Sequence, residues 1–183
     1  ITGMYSLAVL SGFYMINQET NVVDSDLLIF LMFSVAVFGY YNFRKKARFF
    51  AGDIGSISIA VCLFFIGISL MHAIQAPVLI LMVLIYGTDS LLTVGYRKSI
   101  GEKLMEAHRL HLYQKLTDTY KIPHLTTSIV YAVLQVITNI VVFYTYKKEL
   151  STQYTIIGIA IIIAVTVYVV LFKKIARKNK SIV

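Results

Sequence analysis

The chain has 183 residues, of which 58% are hydrophobic and 14% are charged, and its formal net charge is +8. Soluble domains average about 25% charged residues, so this composition excludes an ordinary soluble domain and is typical of a polytopic membrane protein. The single cysteine, Cys62, excludes a disulfide framework and a cysteine metal cluster, and it is expected to pack as a small hydrophobic residue.

Apolar blocks long enough to cross the hydrocarbon core, which takes about 20 helical residues, follow one another along the chain. They lie near residues 1–16, 27–43, 54–72, 77–96, 125–146 and 153–172. Because backbone groups in lipid must pair within their own segment, the blocks predict helices. The predicted fold is therefore an all-α polytopic membrane protein, one domain over residues 1–183, with about six transmembrane helices and a cytoplasmic interfacial helix.

Basic residues are concentrated in three regions that alternate along the chain. These are Arg44, Lys45, Lys46 and Arg48; Arg97, Lys98, Lys103, Arg109, Lys115 and Lys121; and Lys173, Lys174, Arg177, Lys178 and Lys180. They hold 15 of the 17 Lys and Arg residues, so the positive-inside rule predicts that these regions and the C-terminus are cytoplasmic. Contact with anionic lipid headgroups explains the basic loops, whereas clusters tethered at a membrane face without a binding fold argue against nucleic acid.

The cytoplasmic connection over residues 44–56 carries a carboxylate between two glycines. Asp53 lies between Gly52 and Gly55 at the start of the third block, and Ser56 adds a hydroxyl. One interpretation is that Asp53 caps the helix that begins here. The other is that Asp53 binds a hard cation such as Mg²⁺, beside backbone that the glycines leave open.

Asp89 lies inside the fourth block, about two helical turns before Arg97. A carboxylate at that depth is costly, about 3 kcal/mol on the insertion scale, unless it faces the bundle or a water-filled cleft. Two roles stay open for Asp89: pairing with a basic residue to stabilise the structure, or lining an active cleft.

The long connection over residues 97–124 is the second cytoplasmic candidate region, because loops of this length are usually structured or functional. Its sequence predicts a helix from Glu102 to Tyr120 that ends before Pro123. The apolar face of that helix suits the membrane interface.

Two histidines and an arginine lie close together on this predicted helix. Glu106, His108 and His111 lack the order of a zinc-binding motif and a third strong ligand, so zinc is disfavoured. Contact with phosphate oxygens, by charge-assisted hydrogen bonds or proton transfer, suits His108, Arg109 and His111 better. A plain interfacial helix with surface histidines stays open.

Three segments together resemble the polyprenyl-phosphate N-acetylhexosamine-1-phosphate transferases. The segment "RFFAGDIGSISIA", residues 48–60, resembles the family motif F-x-G-D-x-G-S. The segment "YGTDSLLTVGYR", residues 86–97, resembles the family's aspartate-bearing helix, and "EAHRLHLYQKL", residues 106–116, resembles its histidine motif. The order, spacing and cytoplasmic placement of the three segments agree with the family.

The resemblance implies roles for the residues of the first segment. Asp53 matches the metal-binding aspartate of the family and is the expected catalytic carboxylate. Phe50 matches the aromatic residue that packs against uracil. Gly52 and Ser56 belong to the same motif and are expected to contact substrate.

The resemblance also implies that His111, with His108 and Arg109 around it, contacts the donor diphosphate, and that both histidines are catalytic. This sequence departs from the family pattern H-x-H-H, because Tyr113 and Gln114 occupy the later histidine positions. The family also carries an aspartate pair and an N-x-x-D-G segment before the point that matches Ile1. We therefore expect the chain to correspond to the C-terminal half of a family enzyme and to be inactive alone.

The activity implied is transfer of a sugar-1-phosphate, expected to be GlcNAc-1-phosphate, from a UDP-sugar to polyprenyl phosphate, with release of UMP. The implied cofactor is Mg²⁺, with Mn²⁺ as the other candidate. The implied partners are a UDP-N-acetylhexosamine, a polyprenyl phosphate and the lipid bilayer of a bacterial cytoplasmic membrane. A homodimer is left open.

Two other functions are alternatives to the transferase. A transporter would use Asp89 as an intramembrane coupling residue, but it predicts an inverted repeat and broken helices, and the sequence indicates neither. A non-catalytic membrane scaffold would tolerate Asp53→Asn without consequence.

Overall fold

The computed structural model describes residues 1–44, 48–103, 106 and 109–180, with the side chains of residues 178–180 excepted. All regular elements in these ranges are helical. They are α1 (Thr2–Thr20), α2 (Ser25–Asn42), α3 (Gly52–Ile74), a 3₁₀ helix (Pro77–Val83), α4 (Leu84–Ser99), α5 (Leu112–Tyr120), α6 (His124–Thr145) and α7 (Leu150–Lys180). The predicted all-α class is confirmed.

Five helices in the described part of the chain are long and apolar enough to span a membrane. They cover Ser25–Asn42, Gly52–Ile74, Pro77–Ser99, His124–Thr145 and Leu150–Arg177. The remaining predicted span, the first block at residues 1–16, forms the 19-residue helix α1, which is not among the five. These findings confirm a polytopic membrane protein.

Helix α1 lies at the centre of the bundle and packs mainly against α6, α2 and α3. Its apolar side chains Val9, Leu10, Phe13 and Ile16 are buried in the main core. Asn17 is also buried, so α1 directs a polar group into protein rather than lipid. Burial among neighbouring helices explains how a less apolar helix is accommodated here.

The fourth span changes helix type. It starts as the 3₁₀ helix Pro77–Val83 and continues without interruption as α4, so that Pro77–Ser99 forms one spanning helix. At the junction, the Gln135 side chain of α6 accepts a hydrogen bond from Ile85 N (3.2 Å) and donates one to Leu81 O (3.1 Å). A side chain thus satisfies backbone groups near the change of helix type, as irregular backbone in a membrane requires.

The predicted cytoplasmic connections are shorter in the structure. Helix α3 begins at Gly52, so the last five residues of the predicted 44–56 connection belong to the helix. Within the predicted 97–124 connection, α4 continues to Ser99 and α6 begins at His124. We call the end of the bundle where α3 begins, α4 ends and α5 lies the basic end.

The helix predicted from Glu102 to Tyr120 is wrong in its first half, because α5 begins only at Leu112. Gly101 adopts a left-handed φ of 74°, which turns the chain away from the axis of α4. Residues 102, 103, 106 and 109–111 are not helical, and His108 lies outside the described residues.

Arg97 organises the connection that follows α4. Its buried guanidinium pairs with Glu102 at 3.0 Å and donates to the carbonyl oxygens of Lys103 and Glu106. A single side chain therefore satisfies acceptors spread over several residues of irregular backbone, which favours this path over a continuous helix.

Candidate functional site

An apolar cleft of about 600 Å³ lies between α1, α3 and the fourth span. Its walls are mainly aliphatic and aromatic side chains, which include Phe13, Ile57, Leu63, Phe64, Leu79 and Val83. Ser56 of α3 and Tyr86 of α4 line the same cleft and are among its few polar groups. The cleft therefore joins the first predicted motif to the helix that carries Asp89.

Asp53 lies in the first turn of α3, and its side chain is exposed. The helix is capped by Ala51 without a side-chain hydrogen bond, so the structure does not support the interpretation of Asp53 as the cap. No described residue donates a hydrogen bond to its carboxylate. Gly52, immediately before it, has a left-handed φ of 60°, which a residue with a side chain rarely adopts. The carboxylate is presented to solvent at the start of the helix.

The hydroxyl of Ser56 bonds to backbone carbonyl oxygens in the first turn of its own helix. It donates to the carbonyl oxygen of Gly52 at 2.7 Å and approaches that of Asp53 at 3.2 Å. Phe50, just before the helix, is 81% exposed. The Asn42 amide of α2 donates to the neighbouring Phe49 carbonyl at 2.6 Å, so the segment is anchored while the Phe50 ring is left open to a stacking partner.

A single carboxylate fits only one kind of metal site. The described residues contain no group of three His, Cys, Asp or Glu side chains placed to hold a metal ion. Mg²⁺ differs from zinc in that it keeps several waters and binds through one or two carboxylates together with substrate phosphates. Asp53 fits this mode because its carboxylate is exposed and no described cation neutralises it.

The Asp89 carboxylate accepts several hydrogen bonds at the basic end. It is 1% exposed, and its carboxylate accepts hydrogen bonds from Leu112 N (2.9 Å), Tyr113 N (3.3 Å) and Tyr131 Oη (2.8 Å). The Thr93 hydroxyl adds a longer bond of 3.2 Å. The Leu112 and Tyr113 amides are the first two of α5, so a carboxylate from α4 satisfies the N-terminus of another helix.

His111 is the N-cap residue of α5. Its Nδ1 lies 3.4 Å from Oδ1 of Asp89, which makes an ion pair when the imidazole is protonated. Its ring stacks on those of Tyr86, at 6.1 Å between centroids, and Tyr113, at 5.4 Å, and these two tyrosine rings are 6.2 Å from each other. The backbone N–H of His111 donates to Gln114 Oε1, so Gln114 serves the helix start. Burial raises the pKa of Tyr113 to about 12, so its hydroxyl stays protonated at neutral pH.

Arg109 forms a two-pronged ion pair with Asp118 of α5, with atom separations of 3.0 and 3.3 Å. Both side chains are largely exposed, so the pair is weak and open to competition from an anionic ligand. Lys115, on the same helix, places its Nζ 4.8 Å from the centre of the Phe172 ring of α7. Burial lowers the pKa of Lys115.

Of the described residues predicted for the site, Ser56 lines the cleft, whereas Phe50, Gly52, Asp53, Arg109 and His111 are not among its lining residues. Phe50, Asp53 and Ser56 lie at the start of α3, which packs against α1 and the 3₁₀ helix rather than α4 or α5. His111 is connected to the cleft through Tyr86, whose ring both stacks on His111 and lines the cleft.

Sequence reasoning missed the partners of Asp89. Asp89, Thr93 and Arg97 are all buried and recur every fourth residue, so they form a polar stripe on one face of an otherwise apolar helix. That spacing was the available signal that Asp89 faces the bundle. No family model, no curated protein and no solved structure matches this chain.

Proposed function

We propose that the chain belongs to an enzyme that transfers a sugar-1-phosphate from a UDP-sugar to a polyprenyl phosphate at the cytoplasmic face of a bacterial membrane. The observation that carries the proposal is the position of Asp53. Its exposed carboxylate lies three residues before Ser56, which lines an apolar cleft open to a lipid substrate. A cation ligand beside an apolar cleft suits a reaction between a soluble phosphorylated donor and a lipid-borne acceptor.

Asp53 would hold Mg²⁺ together with the phosphate oxygens of the donor. When bound, the ion supplies charge neutralisation at the diphosphate, as phosphoryl transfer generally requires, and Mn²⁺ has the same hard-ligand preference. The exposed ring of Phe50 lies within the same short segment and offers a flat apolar surface to a uracil base.

The acceptor's isoprenoid chain would occupy the apolar cleft, whose walls are almost entirely hydrocarbon. An acceptor phosphate oxygen attacks the phosphorus that carries the sugar, the bond from that phosphorus to the bridging oxygen breaks, and the bridging oxygen leaves with UMP. Arg109 can exchange its exposed partner Asp118 for phosphate oxygens, and His111 lies close enough to Tyr86 to act at the cleft. N-acetylated aminosugars, GlcNAc first, are the donors to test.

The test uses the protein expressed from its complete gene, purified in lipid nanodiscs with UDP-GlcNAc, undecaprenyl phosphate and Mg²⁺. Release of UMP is followed for the wild type, Asp53→Asn, His111→Ala and the control Asp26→Asn. Asp26 is also an exposed aspartate in the first turn of a helix, α2, but it lies at the opposite end of the bundle.

We expect Mg²⁺-dependent UMP release that falls at least about 100-fold in Asp53→Asn and stays near wild type in Asp26→Asn, because loss of one charge-stabilising group typically costs 10²–10³ in rate. Equal rates in Asp53→Asn and wild type would refute the metal role. Absence of UMP release from every UDP-sugar would refute the transferase.

A second candidate is a transporter with Asp89 as its coupling residue, and the 3₁₀ start of the fourth span favours it, because transporters form their sites where a spanning helix departs from regular α-helix. The network around Asp89 weighs against it, since the carboxylate already accepts four hydrogen bonds that protonation would weaken. Uptake by proteoliposomes under an imposed proton gradient, lost in Asp89→Asn, would identify the transporter.

A further inference from the structure

Asp89 is distant in the chain from the helix that it serves. It lies within α4, and the two amides that it accepts, those of Leu112 and Tyr113, begin α5 after the irregular connection. Hydrogen bonds from N–H groups to a carboxylate are about twice as strong as neutral ones, and burial excludes water that would compete for them. One intramembrane carboxylate therefore anchors the first turn of α5, whose remaining contacts are with α6 and α7.

We propose that Asp89 is a positioning residue that fixes His111 at the edge of the cleft. His111 immediately precedes the two bonded amides, so the bonds that hold α5 also set the backbone from which the imidazole projects. The same carboxylate lies 3.4 Å from the imidazole Nδ1, and the neighbouring rings of Tyr86 and Tyr113 both pack against the imidazole.

The remaining donors fix the carboxylate itself. The Tyr131 hydroxyl of α6 donates to Oδ2, and the Thr93 hydroxyl, which donates to Oδ1, lies 3.0 Å from the Tyr168 hydroxyl of α7. Asp89 thus connects α4 to α5 and α6 directly, and to α7 through Thr93. A group held from three sides is suited to hold another in place, because its own position is fixed.

The positioning claim has a test that needs no enzymatic activity. The His111 side chain is 16% exposed, whereas His72 and His124 are exposed and serve as internal references. In wild-type protein we expect diethyl pyrocarbonate to modify His111 more slowly than either reference, as followed by mass spectrometry. In Asp89→Asn the rate at His111 should rise at least about fivefold relative to the references, and the Leu112 and Tyr113 amides should exchange about tenfold faster, since both lose charge-assisted bonds.

Tyr131→Phe is the matched variant, because it removes one donor from Asp89 but leaves the carboxylate and the α5 amides in place. We expect it to change the His111 rate less than Asp89→Asn does. Equal effects of the two variants would assign the result to α6 packing and overturn the proposal. So would unchanged His111 and amide rates in folded Asp89→Asn protein, with folding checked by its thermal midpoint.

The consequence for turnover rests on the transferase proposed above. There, Asp89→Asn should lower kcat about 100-fold with little change in the KM for undecaprenyl phosphate, because displacement of a reacting group by about 1 Å costs that much. If kcat were unchanged in a variant whose His111 is modified faster, the claim that the position of His111 matters for turnover would be overturned. Failure of the wild type to release UMP would refute the transferase alone, since the modification rates test the position of His111 independently.

Discussion

The Tyr5 hydroxyl donates a 2.9 Å hydrogen bond to Oε1 of Gln135, 130 residues later in the chain. The same oxygen accepts from Ile85 N, and the Gln135 amide nitrogen donates to Leu81 O and to Asn139 Oδ1. Gln135 is fully buried. One side chain in α6 therefore connects α1 to the junction between the 3₁₀ helix and α4, next to the cleft.

Gln135→Leu tests the importance of this connection. The variant keeps the side-chain size but leaves Leu81 O and Ile85 N without their partner, and an unsatisfied buried polar group costs about 1–3 kcal/mol. We expect the free energy of unfolding in mixed micelles to fall by about 2 kcal/mol. Thr138→Ala is the control, because its hydroxyl is exposed and bonds only within α6; an equal loss there would show that the junction is not special.

Gly12 tests the close approach of α1 and α6. A Cβ at this position would lie 2.5 Å from Nδ2 of Asn139, which itself donates to the carbonyl oxygen of Ala8. Gly12→Ala should destabilise the protein by about 1–3 kcal/mol, the usual cost of overpacking. Gly158→Ala, where nothing lies within 4 Å of the added Cβ, should be neutral or stabilising. Similar thermal midpoints for the two variants would contradict the prediction.

Variants of Arg109 and Asp118 distinguish a role of Arg109 in substrate binding from a role of the ion pair in structure. If Arg109 contacts donor phosphate, Arg109→Ala should raise the KM for the UDP-sugar about tenfold, because a charge-assisted bond is lost. Asp118→Asn should leave that KM unchanged or lower it, since it frees the guanidinium from its exposed partner. Steady-state kinetics check this, and parallel losses in both variants would mean that the ion pair itself is what matters.

The ion pair of Glu19 and Lys147 predicts a pH dependence of stability at the opposite end of the bundle. Hydrogen bonds from Lys147 and Tyr146 lower the pKa of the Glu19 carboxyl below 4.5, and the bond to Glu19 raises the pKa of Lys147 above 10.5. The carboxylate's contribution is therefore complete above pH 4.5 and is lost as the pH falls through the lowered pKa. That of the ammonium is complete below pH 10.5 and is lost as the pH rises through the raised pKa.

The measurement is the difference in thermal midpoint between wild type and Glu19→Gln from pH 8 to pH 3. The difference should be constant down to about pH 4.5 and then narrow. Glu149→Gln removes a carboxylate near Lys147 but outside the pair, and it should show no such narrowing. A constant difference for Glu19→Gln over the whole range would exclude the pair as its cause.

The helical architecture was largely readable from the sequence, because each span is a local property of composition. The predicted block 125–146 and the helix His124–Thr145 nearly coincide for this reason. The change of helix type in the fourth span has no such local signal, since Pro77 marks the start of the 3₁₀ helix rather than its junction with α4. Gln135 bonds Leu81 O and Ile85 N on either side of that junction, and this role is set by packing between distant segments.

The start of α5 illustrates what local reasoning misses. Leu104, Leu112 and Leu116 share a face at helical spacing, and that pattern predicted one long helix from Glu102. In the structure Arg97 binds the first part of this segment as irregular backbone, and Asp89 supplies the first hydrogen-bond acceptor at Leu112. Both interactions come from side chains of α4, which lie outside the segment.

The length of α7 determines where α5 meets it. Its 31 residues extend about 46 Å, well beyond a hydrocarbon core of about 30 Å. Phe172, which Lys115 of α5 contacts, lies about 33 Å along the helix from Leu150. Because this distance exceeds the thickness of a hydrocarbon core, α5 meets α7 near one end of its spanning length, where a lysine is accommodated without entering an apolar interior.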